Sequence, residues 1–205
     1  MAAIVVFDLG GVLLDWNPRH LYRKLLPDAG EMEEFLATVT TTEWHAGQDR
    51  GGDPVQATQF LKAQHPGKEA LIDAFYSRFG DMLEICFPDM AALVERLHEA
   101  GTPLYLLSNA PAFLDPWLRG PGRRRHPFLG CFRDYVVSGQ VGYLKPAAAI
   151  YDLVCRTGDF SPGDAVLVDD SLPNVEGARA FGMKAIHHRT ADDTITRLRT
   201  FGLPA

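Results

Sequence analysis

Cysteine is scarce in this chain: three residues in 205, Cys86, Cys131 and Cys155, with no C-x-x-C pair among them. So few, so scattered, they exclude a disulfide-stapled scaffold and a cysteine zinc centre, and they fit reduced thiols in a cytoplasmic protein. Basic charge is also short. Twenty Lys plus Arg face 26 Asp plus Glu, a formal charge of −6, and the pI is near 5.6. A protein that grips nucleic acid through its phosphates needs the opposite balance, so no nucleic-acid partner is expected. No apolar run approaches the ~18 residues of a membrane span, and no membrane partner is expected either. The apolar start from Met1 to Phe7 lacks a basic flank and stops at Asp8, which does not read as a secretory leader. Ser138 has no glycine two residues before it, so there is no G-x-S-x-G nucleophile elbow, and no G-x-x-x-x-G-K-[ST] phosphate loop occurs. Internal repeats and low-complexity tracts are absent.

What is present is an ordinary globular composition, 46% hydrophobic and 22% charged, in a chain long enough to bury a core without staples. Five β-branched-rich runs recur: Ile4 to Leu9, Leu104 to Ser108, Tyr135 to Ser138, Ala165 to Asp169 and Lys184 to His188. Ile4-Val5-Val6-Phe7 and Ala165-Val166-Leu167-Val168 are apolar at consecutive positions, the pattern of strands covered on both faces. Helical periods separate them: Asp89 to Ala100 before Gly101, Ala147 to Thr157 before Gly158, and Pro173 to Phe181 before Gly182. Each glycine reads as a helix stop. The alternation predicts an α/β fold, a Rossmann-like parallel sheet. One stretch interrupts it. Residues 15–87 show no strand but repeated helical spacing (Asn17-Pro18 through Leu26, Glu31 to Val39, Pro54 to Gln64, Lys68 to Leu83). These read as a helical cap inserted into a core made of residues 1–14 and 88–205. The arginine-rich stretch Arg119 to Arg125 reads as a solvated loop.

Chemistry collects at the strand ends. The first strand runs into Asp8-Leu9-Gly10-Gly11, where a carboxylate meets a glycine pair that can turn tightly and present N–H groups to an anion. The fourth ends in Asp169-Asp170-Ser171, with Asn174 one turn later. Two adjacent carboxylates repel and need a cation, and a hard divalent ion such as Mg²⁺ takes carboxylates together with phosphate oxygens. The second strand ends in Ser108-Asn109, and Lys145-Pro146 opens the helix after the third. A strand order 3-2-1-4-5 would bring all of these to one sheet edge, where open α/β sheets bind ligands. The adjacent His187 and His188 would face opposite sides of a strand and are not read as a metal site.

The order of these motifs resembles the haloacid dehalogenase superfamily, over nearly the whole chain. Phe7-Asp8-Leu9-Gly10-Gly11-Val12 is similar to its first motif, Ser108 to the second, Lys145-Pro146 to the third, and Asp169-Asp170 with Asn174 to the fourth. The insertion resembles the family's C1 helical cap, which closes over the site and selects substrate. The resemblance implies a Mg²⁺-dependent phosphatase of a small phosphorylated metabolite, such as a sugar phosphate. Asp8 would be the nucleophile. Asp8, the Gly10 carbonyl, Asp169 and Asp170 would hold Mg²⁺. Ser108, Lys145 and backbone N–H groups near Gly11 and Asn109 would hold the phosphoryl oxygens, and Asn174 would orient Lys145 or the metal ligands. Trp44, His45 and Arg50, with Trp16, are candidate cap contacts to substrate.

The sequence departs from the pattern at Gly10, where most family phosphatases carry a second Asp acting as general acid and base. Glycine keeps the backbone carbonyl and loses the carboxyl. General acid–base help is worth about 10²–10⁴-fold, so poor leaving groups should suffer most. Asp15 is the nearest substitute acid in sequence, and Ala147 stands where an acidic residue often follows Lys-Pro. A catalytically impaired binding or regulatory protein is the competing reading that Gly10 opens. A 2-haloacid dehalogenase is a further alternative, disfavoured by the Asp169-Asp170 pair.

Overall fold

The computed structural model describes residues 4–205; the Met1–Ala3 part of the reading above lies outside them. The five strands β1 (Ile4–Phe7), β2 (Leu104–Ser108), β3 (Asp134–Val137), β4 (Ala165–Asp169) and β5 (Lys184–His187) form one sheet in the order β3-β2-β1-β4-β5. Every pairing is parallel, as the strand composition predicts. Alternate residues feed two apolar layers. Val5 and Phe7 face one cluster with Leu93, Leu106 and Val168, while Val6 faces the other with Leu107, Ile150, Tyr151 and Leu167. Both faces are therefore dry, and each fully buried side chain of this size contributes about 1.5–3 kcal/mol.

Between β1 and the sheet's next strand lie α1 (Pro18–Tyr22), α2 (Ala29–Thr38), α3 (Thr42–Asp49), α4 (Pro54–Gln64), α5 (Glu69–Ser77) and α6 (Pro88–Glu99). Asn17 caps α1 with Pro18 just inside it, as expected, but the helix ends at Tyr22 rather than Leu26. The period over Lys68 to Leu83 divides into α5 and a 3₁₀ turn, Phe79–Leu83. Helix α3 has no counterpart in the sequence reading. Its buried side chains are His45 and Gln48, so it lacks an apolar stripe to detect. Thr41 caps it by accepting from the Trp44 N–H at 3.1 Å. These helices do not carry a separate core: Leu21, Tyr22, Phe35, Phe75 and Met82 belong to the same apolar cluster as Phe7 and Leu93.

After β2 come α7 (Leu114–Trp117), a π-turn over Leu118–Gly122 and α8 (Arg123–Arg125). The arginine-rich stretch is thus coiled and anchored, not a free loop. Arg119 bonds Asp115 at 2.9 Å and Asp134 at 2.6 Å, lying over the Tyr135 ring, and Arg125 reaches Glu84 at 2.6 Å. The remaining helices are α9 (Ser138–Val141), α10 (Ala148–Gly158), α11 (Leu172–Phe181) and α12 (Ala191–Thr200). Gly101 and Gly182 stop α6 and α11 in the left-handed region, as read, whereas α10 runs through Gly158 and turns at Asp159, φ 52°. Gly158 serves packing and not a stop: a side chain there would enter the Phe160 and Tyr105 rings. Among the described residues no helix is long and apolar enough to cross a membrane.

Candidate active site

Register sets the site. Phe7 pairs with Leu106 on one side and Val168 on the other, and the Asp8 N–H donates to the Val168 carbonyl at 2.9 Å. Asp8 therefore leaves the sheet beside Asp169 and just below Ser108. Lys145, from the loop before α10, is inserted between the carboxylates. Its Nζ lies 2.8 Å from Asp8 Oδ1 and 2.7 Å from Asp169 Oδ2, and donates to the Leu107 carbonyl at 2.8 Å. Three acceptors match the three N–H bonds of a buried ammonium. Asn109 holds this lysine by its backbone: its amide donates to the Lys145 carbonyl at 3.0 Å and accepts from the Lys145 N–H at 2.9 Å. Asn174 donates to Asp169 at 3.0 Å, so it orients the acidic group and not the lysine. Ser108 is buried and lines the cavity above.

The charges are poised. Burial pushes the Asp8 carboxyl up to about 7, with Lys145 opposing and Asp169 adding to the shift. Burial disfavours charge on Lys145, yet Asp8 and Asp169 outweigh it and hold the ammonium above its ordinary value. Asp8, Asp169 and Asp170 each offer an oxygen within 4.8 Å of the other two. Three carboxylates against one ammonium leave a local negative excess on hard oxygen donors, which fits a divalent cation. Gly11 makes room for this cluster: its φ is +73°, and a Cβ there would overlap the Asp170 carboxylate. The Gly11 N–H, expected to face an anion, instead donates to the Leu14 carbonyl at 2.9 Å, because the turn after Gly10 closes on itself.

Above the acidic floor opens a cavity of about 350 Å³, walled by Trp16, His45, Asp49, Phe79, Leu83 and Leu114. Of the candidate cap contacts, His45 and Trp16 are there. Trp44 and Arg50 are not. Trp44 stands edge-on to Phe75 and donates from Nε1 to the Ala57 carbonyl at 3.3 Å, while Arg50 is exposed at the end of α3. Both follow from the unforeseen helix, which turns His45 and Asp49 inward, four residues apart, and Trp44 into the layer behind. Asp15 does line the cavity but is bonded to His20 Nε2 at 2.8 Å. The His45 ring stacks on Trp16 with centroids 5.3 Å apart, sets Nδ1 3.2 Å from the Tyr76 hydroxyl, and sets Nε2 3.6 Å from Asp49 Oδ1. Ser138 Oγ donates to the Asp49 carbonyl at 2.7 Å, tying α3 to the sheet edge. His187 and His188 do not converge: the first bonds the Asp170 carbonyl and the second Thr194.

Asp49 was missed in sequence, and its environment has a measurable consequence. Burial raises its pKa to about 6 against a weak pull from Arg50, and lowers that of His45 to about 4, leaving the histidine neutral. The folded chain thus holds the Asp49 proton more tightly than the unfolded chain does. The penalty for ionising Asp49 is absent below the unfolded value near 3.8, grows as pH rises and is complete above about 6. Asp49→Asn should therefore raise stability by about 2–3 kcal/mol at pH 8, some 5–10 °C in melting temperature, and by almost nothing at pH 4. Equal gains at both pH values, in thermal melts, would show that Asp49 is not buried as described.

A parallel sheet with carboxylates at the ends of its adjoining strands β1 and β4, a buried lysine between them and a roofed cavity above defines an α/β enzyme. Residues 2–182 match the profile of the haloacid dehalogenase-like hydrolases, and the chain belongs to that family. The sesquiterpene phosphatase astK of Aspergillus oryzae is 31% identical over 199 residues, 95% of this chain and 93% of that one. The phosphoglycolate phosphatase of Salmonella typhimurium is 25% identical over 89% of this chain and 79% of its own. A Bacteroides thetaiotaomicron enzyme of the family, solved with magnesium and inorganic phosphate, superposes with a TM-score of 0.67 at 20% identity, covering 92% of this chain and 95% of that one.

Proposed function

We propose that the protein is a Mg²⁺-dependent phosphatase of a small phosphorylated metabolite, working through an aspartyl-phosphate on Asp8, with residues 15–87 acting as the cap over a core of 1–14 and 88–205. The observation that carries this is the Asp8–Lys145–Asp169 bridge at the foot of the roofed cavity. Asp8, Asp169 and Asp170 would hold the metal, joined by the Gly10 carbonyl; when bound it neutralises phosphoryl oxygens that a carboxylate nucleophile would otherwise repel. An Asp8 oxygen forms the bond to phosphorus as the ester oxygen leaves, and water then displaces Asp8 to give inorganic phosphate. Lys145 keeps the nucleophile aimed, and Ser108 offers a hydroxyl to the phosphoryl group. The three-carboxylate cluster favours this reading over metal-free halide displacement, and the intact lysine bridge favours it over a binding-only protein.

The walls bear on the leaving group. Among the described residues lining the cavity, Lys145 is the one Lys or Arg, and it is already engaged by two carboxylates. A leaving group with a second phosphate or a carboxylate would be desolvated there without a partner. An uncharged one fits against Phe79, Leu83 and Leu114.

A phosphate-release panel of sugar, alkyl, aryl and acyl phosphates tests the reading. Release should require Mg²⁺, vanish with EDTA and return when Mg²⁺ is restored; turnover that survives chelation would overturn it. Gly10→Asp probes the missing acid. Gly10 is not in the left-handed region, and a Cβ would sit 3.5 Å from Trp16 Cβ, an ordinary contact, so the backbone there accepts a side chain's first carbon without strain. Rates should rise about 10-fold or more for alkyl phosphates and little for aryl or acyl phosphates, whose leaving oxygens need less protonation. A uniform change across leaving groups would contradict the assignment.

A further inference from the structure

Gly10 cannot donate a proton, and the acids that line the cavity are Asp8, Asp15, Asp49 and Asp170. Asp8 and Asp170 lie in the carboxylate cluster that fits a cation. Asp49 Oδ1 is sealed without a partner, 3.6 Å from His45 Nε2 and beyond hydrogen-bond distance. Asp15 differs from all of these. Its Oδ2 bonds His20 Nε2 at 2.8 Å, yet its side chain stays 38% exposed and lines the cavity. The chain path also brings it beside residue 10. The Leu14 N–H donates to the Leu9 carbonyl and the Leu14 carbonyl accepts from the Gly11 N–H, each at 2.9 Å, so Leu14 pairs with Gly10. Trp16 Cβ stands 3.5 Å from where a Gly10 Cβ would be. Asp15 lies between these two neighbours of residue 10, its Cα one step of about 3.8 Å from each of theirs.

We propose that Asp15, backed by His20, is the general acid and base that Gly10 cannot be. The inference rests on the phosphatase reading and deepens it, adding Asp15 as a catalytic residue and His20 as a positioning residue. The resting pair holds one proton in common. An imidazole can share a proton with a carboxylate in this way, whereas a guanidinium does not give one up. As an Asp8 oxygen bonds to phosphorus and the ester P–O bond breaks, the leaving oxygen takes the proton from the Asp15 carboxyl and departs as an alcohol. Water then attacks the phosphorus of the aspartyl-phosphate and gives a proton back to Asp15. The bond from phosphorus to Asp8 breaks, and the pair is restored. His20 acts through Asp15 throughout, fixing the carboxyl and holding the proton between steps.

Alkyl and aryl phosphates compared by kcat/KM, which covers transfer to Asp8, test this. Alkyl oxygens need a proton on leaving and aryl oxygens far less. Asp15→Asn keeps the shape and removes the acid, and it should lower the alkyl-to-aryl rate ratio about 30–100-fold. His20→Gln can still bond Asp15 but cannot share a proton, and it should lower the ratio about 10-fold. Gly10→Asp gives a readout that a structural role for Asp15 would not move. In the Asp15→Asn background it replaces an absent acid, so its gain on alkyl phosphates should exceed its gain in the wild-type chain by about 10-fold or more. Rates are taken per folded molecule, with folding read by circular dichroism. A ratio within about 3-fold of wild type in both Asp15→Asn and His20→Gln, or an equal gain from Gly10→Asp in both backgrounds, would overturn the proposal. Failure of the phosphatase reading looks different: the wild type would release phosphate from no ester, aryl included, and the proposal would fall with it.

Discussion

Asp8→Asn should release no measurable phosphate from any ester that the wild type cleaves, a loss of about 10⁴-fold or more. The amide preserves shape and can still hydrogen-bond, but it is neither an adequate nucleophile nor an anion for a metal. The fold should persist. Lys145 retains Asp169 at 2.7 Å and the Leu107 carbonyl at 2.8 Å, and Asp8 is itself a buried carboxyl pushed up to about 7 by desolvation. Removing its charge should therefore leave the melting temperature of the metal-free protein unchanged or raise it. Intact mass after quenching in acid adds a second readout: wild type mixed with substrate should gain one phosphoryl group, and the variant none. A variant that unfolds would make the activity loss uninformative. One that stays folded and active would end the case for Asp8 as the nucleophile.

The contrast between what sequence revealed and what it hid has a physical origin. Buried strands advertise themselves, since Ile4–Phe7 and Ala165–Asp169 must be apolar on both faces, and their polar ends then stand out. Asp8, Ser108, Lys145 and Asp169 were legible because each is a polar residue at the end of a dry strand or just before a helix, and the strand order brings them together. The roof was not. Helix α3 turns His45 and Asp49 toward a cavity and buries no apolar stripe against a core, so periodicity, the main signal for a helix, is missing here. Without the helix, Trp44 and Arg50 looked as plausible as His45, and Asp49 drew no notice. The side-chain duties also needed coordinates. Asn109 could have faced a phosphate, but both ends of its amide are spent on the Lys145 backbone. Arg119 to Arg125 reads as loose from composition, and only position shows Asp115, Asp134 and Glu84 waiting for those arginines.

Lys145 is where fold and chemistry depend on one atom, and Lys145→Met should injure both. Methionine fills most of the volume but leaves Asp8 and Asp169 facing each other in a buried space, with the Leu107 carbonyl unpaired. Breaking a buried ion pair by deleting one partner costs about 3–5 kcal/mol, or roughly 10 °C in a domain of this size. Phosphate release should fall by about 10²–10³-fold, the scale of losing one preorganised electrostatic contact. The two losses should separate on adding Mg²⁺. A cation bound by the folded carboxylates stabilises by mass action, so the melting temperature should recover more in Lys145→Met than in wild type, while activity stays low. Lys145→Arg should not rescue activity. The native side chain is 1% exposed with its three acceptors arranged around a point charge, and a planar guanidinium is too large for that setting. If Mg²⁺ restored stability and turnover together in Lys145→Met, the lysine would be only a structural counter-charge, and the proposed role in aiming Asp8 would fall.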